Sequence, residues 1–308
     1  MTQRELSVRQ ATAEDYEDVV AFTSDIWADR GGDYIPDVFH DWIAGDGDGQ
    51  RTFVVDAGDD LAGILQMVML SDHEAWAQGM RTNPEFRGQG AAALLNEAGF
   101  EWAADRGATV ARNMVFSWND AGLGAARASG FAPGVEFRWA CPEPDADALA
   151  AVDEDAALGG DPDAAWRHWQ ASDAADVLDG LALDRGETYA LSELTIGDLR
   201  AASEDERVVT VEDDGTRAMT FRTREYKRDG DDGEPVQYVE YGVASWADVD
   251  AARALFAAIE EDAAARGADA TRVMIPESAR HVSDAAYVRA QPQDEPKFVL
   301  ACDLTDRR

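Results

Sequence analysis

The stretch Met80–Ala92, reading M-R-T-N-P-E-F-R-G-Q-G-A-A, constrains this chain more than any other. Ala75–Thr82 reads as a strand, and Pro84 stops it, because proline removes a ladder donor. Arg87-Gly88-Gln89-Gly90 then opens onto Ala91–Ala104, whose apolar residues fall at helical spacing. The order is strand, glycine-punctuated turn, helix. At such a turn the first N–H groups of the helix have no intrahelical partner and point outward. With the helix dipole they make an anion site. Gly88 and Gly90 let the backbone approach a bulky phosphate with no Cβ in the way, and Arg87 adds a charge-assisted contact at the edge. The spacing is not G-x-G-x-x-G and no G-K-[ST] follows, so neither a dinucleotide fold nor a P-loop fits. The plainer role is a turn that joins a strand to a helix.

Arg87, Gly90 and Ala92 satisfy the pattern R-x-x-G-x-[GA]. With N-P-E-F before it and an apolar helix after it, the segment resembles the acyl-CoA loop of the GNAT superfamily of N-acetyltransferases. The resemblance implies acetyl-CoA as co-substrate. It places the CoA pyrophosphate on Arg87, Gly88, Gln89, Gly90, Ala91 and Ala92, and the oxyanion-binding N–H in the region Met80, Arg81 and Thr82. Pantetheine would pair along the same strand. Asn119 through Gly130-Phe131 resembles the family's second segment, an Asn-capped helix ending in G-F, where the Asn touches pantetheine. Its bare role is a helix N-cap. One departure stands out: many members place a Tyr four residues before that glycine to protonate the leaving thiolate, and here the position is Ala126.

The rest of residues 6–141 suits the same fold class, α/β (α+β), with a mixed, mostly antiparallel twisted sheet flanked by helices. Leu6–Gln10 is a first strand, and Thr12 with Asp15 forms a capping box ahead of a helix. Tyr16, Val19, Val20, Phe22 and Ile26 share one helical face. Trp27–Trp42 is aromatic and glycine-broken, the region that covers the acceptor in GNAT proteins. Thr52–Asp56, Leu61–Leu70, Thr109–Ser117 and Phe137–Cys141 read as further strands. No general base stands out. His73, Glu74, Asp33 and Tyr34 have suitable chemistry, and the ordinary reading of each is a surface residue.

Residues 142–308 look like a worn copy of 1–141. Arg106-Gly107-Ala108 recurs 160 positions later as Arg266-Gly267-Ala268, with Arg112 and Met114 meeting Arg272 and Met274. Phe137–Cys141 recurs as Phe298–Cys302, so the two cysteines read as equivalent positions and not as a disulfide. Two tandem GNAT-like domains are expected. The first, 1–141, binds acetyl-CoA. The second, 142–308, has lost the cradle, because Arg87, Gly88 and Gly90 fall on Ala247, Asp248 and Asp250. Carboxylates there repel a diphosphate. Ser245–Phe256 reads as a capped helix, Pro142–Pro162 as a linker, and Trp166–Leu183 and Leu194–Ala202 as helices.

The formal net charge of −35 argues against nucleic acid and anionic membranes as partners. Spread along the whole chain, it resembles the surface of a salt-adapted organism. The four histidines are scattered and no C-x-x-C occurs, so no metal site is expected. The amino-terminal M-T-Q-R-E-L-S lacks an apolar segment, which points to the cytoplasm. The leading expectation is an N-acetyltransferase acting on a small-molecule amine or amino acid derivative. It would be a monomer with an internal pseudo-dimer, or a homodimer. The other is a non-catalytic acyl-CoA sensor or interaction module.

Overall fold

The computed structural model describes residues 5–24, 26–27, 32–152, 157–230 and 233–307. The first elements are β1 (Ser7–Gln10), α1 (Tyr16–Thr23), α2 (Ile35–Gly45), β2 (Gln50–Asp56), β3 (Leu61–Met69), β4 (Glu74–Thr82), α3 (Ala91–Ala104), β5 (Val110–Phe116), α4 (Asp120–Ala128) and β6 (Ala132–Ala140). Then come β7 (Ala157–Gly159), α5 (Pro162–Gln170), α6 (Asp173–Val177), β8 (Leu181–Leu183), β9 (Leu191–Glu193), α7 (Ile196–Glu204), β10 (Val208–Glu212) and β11 (Thr216–Asp229). The chain closes with β12 (Pro235–Trp246), α8 (Val249–Ala265), β13 (Ala270–Pro276), α9 (Ala279–Tyr287) and β14 (Lys297–Asp303). No helix among the described residues is long and apolar enough to cross a membrane.

Two compact units emerge. One comprises Met1–Val115, Asn119–Pro133 and Val299–Arg308; the other comprises Phe116–Trp118 and Gly134–Phe298. These are not the sequence halves 1–141 and 142–308. Each unit takes its closing strand from the other half of the chain.

In the first unit the strand order is β1-β2-β3-β4-β5-β14. Neighbours from β1 to β4 run antiparallel, and β4–β5 is parallel because α3 provides the crossover between them. Val19, Phe22, Ile35, Phe39 and Trp42 from the first two helices pack with Val54, Leu61 and Ile64 of the sheet. The second unit has the order β7-β10-β11-β12-β13-β6, again with one parallel pair, β12–β13, joined through α8. Its core gathers Tyr241, Trp246, Leu255, Phe256 and Ile259. Both units are therefore mixed α/β, as expected. Both cysteines are free thiols.

Several boundaries differ from expectation. Ser245 and Trp246 end β12, so the helix expected over Ser245–Phe256 begins at Val249. β-branched and aromatic residues upstream carry the strand to Trp246, and Asp248 is the residue able to cap. Within Trp166–Leu183 the chain forms two short helices, then the strand Leu181–Leu183, because Gly180 turns at a φ of 75°. Pro142–Pro162, expected as a linker with room for a short strand or helix, holds a 3-10 turn at Ala148–Ala151 and the strand β7.

The capping box is present. Thr12 N–H donates to Asp15 at 2.7 Å, and Arg9 donates to the same carboxylate at 2.6 and 2.8 Å. Burial pushes the Asp15 carboxyl up, but Arg9 and Thr12 more than offset this and hold it below its usual range. A depressed carboxyl contributes stability above its unfolded value near ~4, and that contribution is lost as pH falls through the folded value. Asp15→Ala is thus expected to cost about 1 kcal/mol near neutral pH. In urea unfolding the gap from wild type should close as pH drops from about 6 to about 3. A pH-independent gap would count against this account.

Candidate active site

The site begins with an irregularity in β4. On its β3 side, Gln78 faces Gln66 and Arg81 faces Ile64, so Gly79 and Met80 together stand opposite Leu65. This is a β-bulge, and Gly79 occupies it at a φ of 62°. A Cβ there would lie 2.2 Å from Trp42 Cη2, so the indole of α2 is seated on the bare glycine.

On its other side β4 loses its neighbour. Pairing with β5 runs through Glu74–Val110, Ala75–Ala111 and Trp76–Arg112 and goes no further. Among the described residues no strand continues the ladder on this side beyond Trp76. Asn83 N–H donates to the Ala62 carbonyl at 3.0 Å. By alternation along the strand, the Thr82 N–H and C=O turn away from β3 and into the opening. Arg81 N–H faces Ile64 instead. Of the expected strand residues, then, Thr82 offers its backbone to the opening, Met80 sits on the bulge, and Arg81 does neither.

Past Thr82 the turn is fixed from both sides. Asn83 Oδ1 accepts from Glu85 N–H at 3.0 Å, and its Nδ2 donates to the Leu61 carbonyl at 2.9 Å. Phe86 is buried beneath. Gln89 N–H donates back to Phe86 O at 3.2 Å. Gly90 caps α3 in the left-handed region at a φ of 93°. The first helical bond is Leu94 N–H to Gly90 O at 3.1 Å, so the N–H groups of Ala91, Ala92 and Ala93 precede the ladder. A Cβ on Gly88 or Gly90 would meet nothing within 4 Å. The concavity is open, and the exposed Arg87 stands at its rim.

Asn119 caps α4. Its Oδ1 accepts from Gly122 N–H at 2.9 Å, while its amide NH2 makes no hydrogen bond among the described residues. The capping role is real and leaves two donors. Ala126 is buried in the same helix, so that position supplies no phenol.

Sequence reasoning missed the cluster around Arg81. Its guanidinium donates to Asp33 at 2.6 and 3.1 Å, and lies 4.2 Å from the Trp27 ring centre and 5.5 Å from that of Tyr34. Asp33 also accepts from Ile35 N–H at 3.1 Å, so it is an anchor and not a base. Residues 25 and 28–31 of the aromatic stretch lie outside the described residues. His73 and Glu74 lie at the far end of β4, about 26 Å from Thr82 at the usual rise per residue. Glu74 is bound to Arg112 at 2.5 Å and to Ser71 at 3.1 Å. Neither is placed to serve the opening.

In the second unit the corresponding helix, α8, is closed at its N-terminus. Asp248 accepts from Ala251 N–H at 2.9 Å and pairs with Arg217. The Ala251 N–H, with help from Arg217, holds the Asp248 carboxyl below its usual range against mild desolvation. The strands β12 and β13 also part after Tyr241–Val273. There Arg280 donates to the carbonyls of Trp246 and Ala247 at 2.7 and 2.9 Å.

Residues 12–131 match the acetyltransferase (GNAT) family. The fold is that of the GNAT acetyltransferases. It extends over nearly the whole chain. A GCN5-related N-acetyltransferase from Sphaerobacter thermophilus aligns with 97% of this chain and 96% of its own, at a TM-score of 0.61 and 13% identity. A putative acetyltransferase from Thermoplasma acidophilum covers 96% of this chain and 99% of its own, at a TM-score of 0.54 and 14% identity. One from Pyrococcus horikoshii covers 97% and 89%, at 0.51 and 14%. Identities this low carry the fold alone. No curated protein matches in sequence. GNAT acetyltransferases use acetyl-CoA as co-substrate.

Proposed function

We propose that the first unit is an acetyl-CoA-dependent N-acetyltransferase whose acceptor is the amine of a small molecule or an amino acid derivative. The diphosphate rests on the N–H groups of the Arg87–Ala92 loop, pantetheine lies along the open edge at Met80–Thr82, and the Asn119 amide donates to it. The observation that supports this best is the coincidence of two features in one unit: β4 parts from β5 after Trp76, and the first N–H groups of α3 precede its ladder. The reaction is attack of the neutral amine nitrogen on the thioester carbonyl carbon. The C–S bond breaks, CoA leaves as thiolate and takes up a proton, and the nitrogen gives one up. Backbone N–H groups at the bulge stabilise the intermediate oxyanion. Arg81 and Asp33 hold Trp27 and Tyr34 beside this strand and shape the acceptor side.

The second unit is a sibling that no longer binds the cofactor. The repeated strand order supports duplication, and the Asp248 cap supports the loss. The acidic surface suits a salt-rich cytoplasm. A non-catalytic acyl-CoA sensor remains the second reading, and Ala126 in place of a tyrosine favours it.

Titration calorimetry is expected to give one acetyl-CoA per chain, and free thiol should accumulate when a panel of small amines is added. Two binding sites would overturn the lost-sibling reading. Binding without thiol release on any amine would favour the sensor.

A further inference from the structure

Among the described residues, two cations of the second unit, Lys297 and Arg272, form no ion pair. Lys297 is only 6% exposed, and Arg272 is half-buried. No carboxylate among the described residues lies within ion-pairing distance of either. Lys297 donates to Gln293 Oε1 at 2.8 Å and to the Glu295 carbonyl at 2.9 Å. Arg272 donates to Tyr189 Oη at 2.7 Å and faces the rings of Tyr238, Tyr189 and Trp139 at 5.1, 5.6 and 5.9 Å. Lys297 is one of two lysines in a chain of net charge −35. With carboxylates so abundant, two withdrawn cations with no direct ion pair call for explanation, since burying a charge that is only partly compensated is costly.

Both cations line one cleft of about 230 Å³. Phe116, Trp118, Trp139 and Tyr189 supply its aromatic walls, and Gln293 and Glu295 complete it. Phe116 and Trp118 stack at 5.3 Å with their planes 10° apart, which makes one flat face. Flat walls favour a flat ligand, and a guanidinium beside an ammonium favours a planar anion.

We propose that this cleft binds a small organic carboxylate carrying a flat, apolar or aromatic body, with its carboxylate between Arg272 and Lys297 and its body against Trp118 and Trp139. The proposal does not rest on the acetyltransferase reading.

The pH behaviour follows from the surroundings. Burial pushes the Lys297 amine down to about 8, with Arg272 and Arg138 adding to the fall and Cys141 and Glu295 opposing it. Burial also raises the Cys141 thiol, so it stays neutral. Arg138 is matched by Glu277 at 2.6 Å. Glu240 lies near Arg272 and is paired with Arg224 at 2.9 Å, and Tyr226 faces the same cluster. Burial opposes the Arg272 charge, but Tyr189, Tyr226 and Glu240 more than offset it. Lys297 is therefore the cation of this cleft whose charge changes near pH 8. A bound carboxylate favours its protonated form, so affinity is full below about 8 and falls above it.

The test is calorimetric titration of the full chain, without acetyl-CoA, using benzoate as probe. Benzamide and inorganic phosphate serve as comparisons. Benzoate should bind at least about tenfold more tightly than either comparison near pH 7, and should weaken as pH rises through 8. Lys297→Gln should weaken benzoate about tenfold and flatten the pH dependence. Lys297→Arg, which keeps the charge, should bind at neutral pH and hold that affinity above pH 8. It also decides the matter if Lys297→Gln does not fold. Equal binding of benzoate and benzamide would overturn the proposal. So would phosphate binding as tightly as benzoate, no benzoate binding, or a Lys297→Arg profile that falls like wild type. None of these outcomes bears on acetyl-CoA binding by the first unit.

Discussion

Gly90→Asp is expected to weaken acetyl-CoA binding by about 100-fold while leaving the fold intact. The new carboxylate would stand at the cap of α3, beside the N–H groups of Ala91–Ala93 that precede the helical ladder. It would satisfy them itself and repel the diphosphate. One pair of unit charges at about 4 Å costs between about 1 kcal/mol in water and about 4 kcal/mol at a partly screened surface. That range brackets the expected loss. The second unit already carries this arrangement as Asp248 on Ala251 N–H. Since nothing lies within 4 Å of the added Cβ, the side chain fits without a clash. Gly90→Asn separates charge from backbone, because Asn tolerates the left-handed φ about as well as Asp does. Calorimetry should show the Asn variant close to wild type and the Asp variant far weaker. Equal affinities for Asp and wild type would place the cofactor elsewhere.

Gly79→Ala is expected to destabilise the chain by about 2–5 kcal/mol and to remove transfer activity in what remains folded. Two costs add. An L-residue held at a φ of 62° loses about 1–2 kcal/mol. A methyl 2.2 Å from Trp42 Cη2 forces repacking, worth about 1–3 kcal/mol. Relief of the strain would flatten the bulge and turn the main chain beyond it, so Thr82 would no longer offer its N–H to the opening. Pairing the change with Trp42→Leu should recover part of the stability, because the methyl then has room. Urea unfolding of the four proteins in that cycle measures the coupling. Strictly additive single effects would show that the ring is not what excludes a Cβ.

The segment that carries the proposal was the most readable part of the sequence, for local reasons. Pro84 stops a strand and Gly90 starts a helix whatever the rest of the chain does, so α3 begins at the expected Ala91. Thr12 and Asp15 are three residues apart and form their box unaided. What escaped was non-local. Arg81 finds Asp33 across 48 positions, and no periodicity announces it. Gly79 was visible as a glycine inside a strand, a sign of a bulge or close approach, but its partner Trp42 was not. The opening of β4 depends on where β5 stops pairing, and neither strand's composition records this. Lys297 reads as an unremarkable lysine beside a closing strand. Only burial makes it unusual. Ser245 and Trp246 went to the wrong element because apolar and small residues there suit a strand end and a helix start equally.

The final strand has a consequence for synthesis. Val299–Asp303 completes the sheet of the first unit beside β5, and the tail beyond it is tied to α3 and its neighbourhood: Leu304 N–H to Thr109 O at 2.8 Å, Arg307 to Glu97 at 2.6 Å, and the Arg307 guanidinium 5.0 Å from the Phe100 ring centre. On the ribosome, the nascent first unit waits unfinished until Val299–Asp303 has been made and has left the exit tunnel. A stop just before Val299 would therefore harm the first unit, most of it made much earlier, more than the residues made just before the stop.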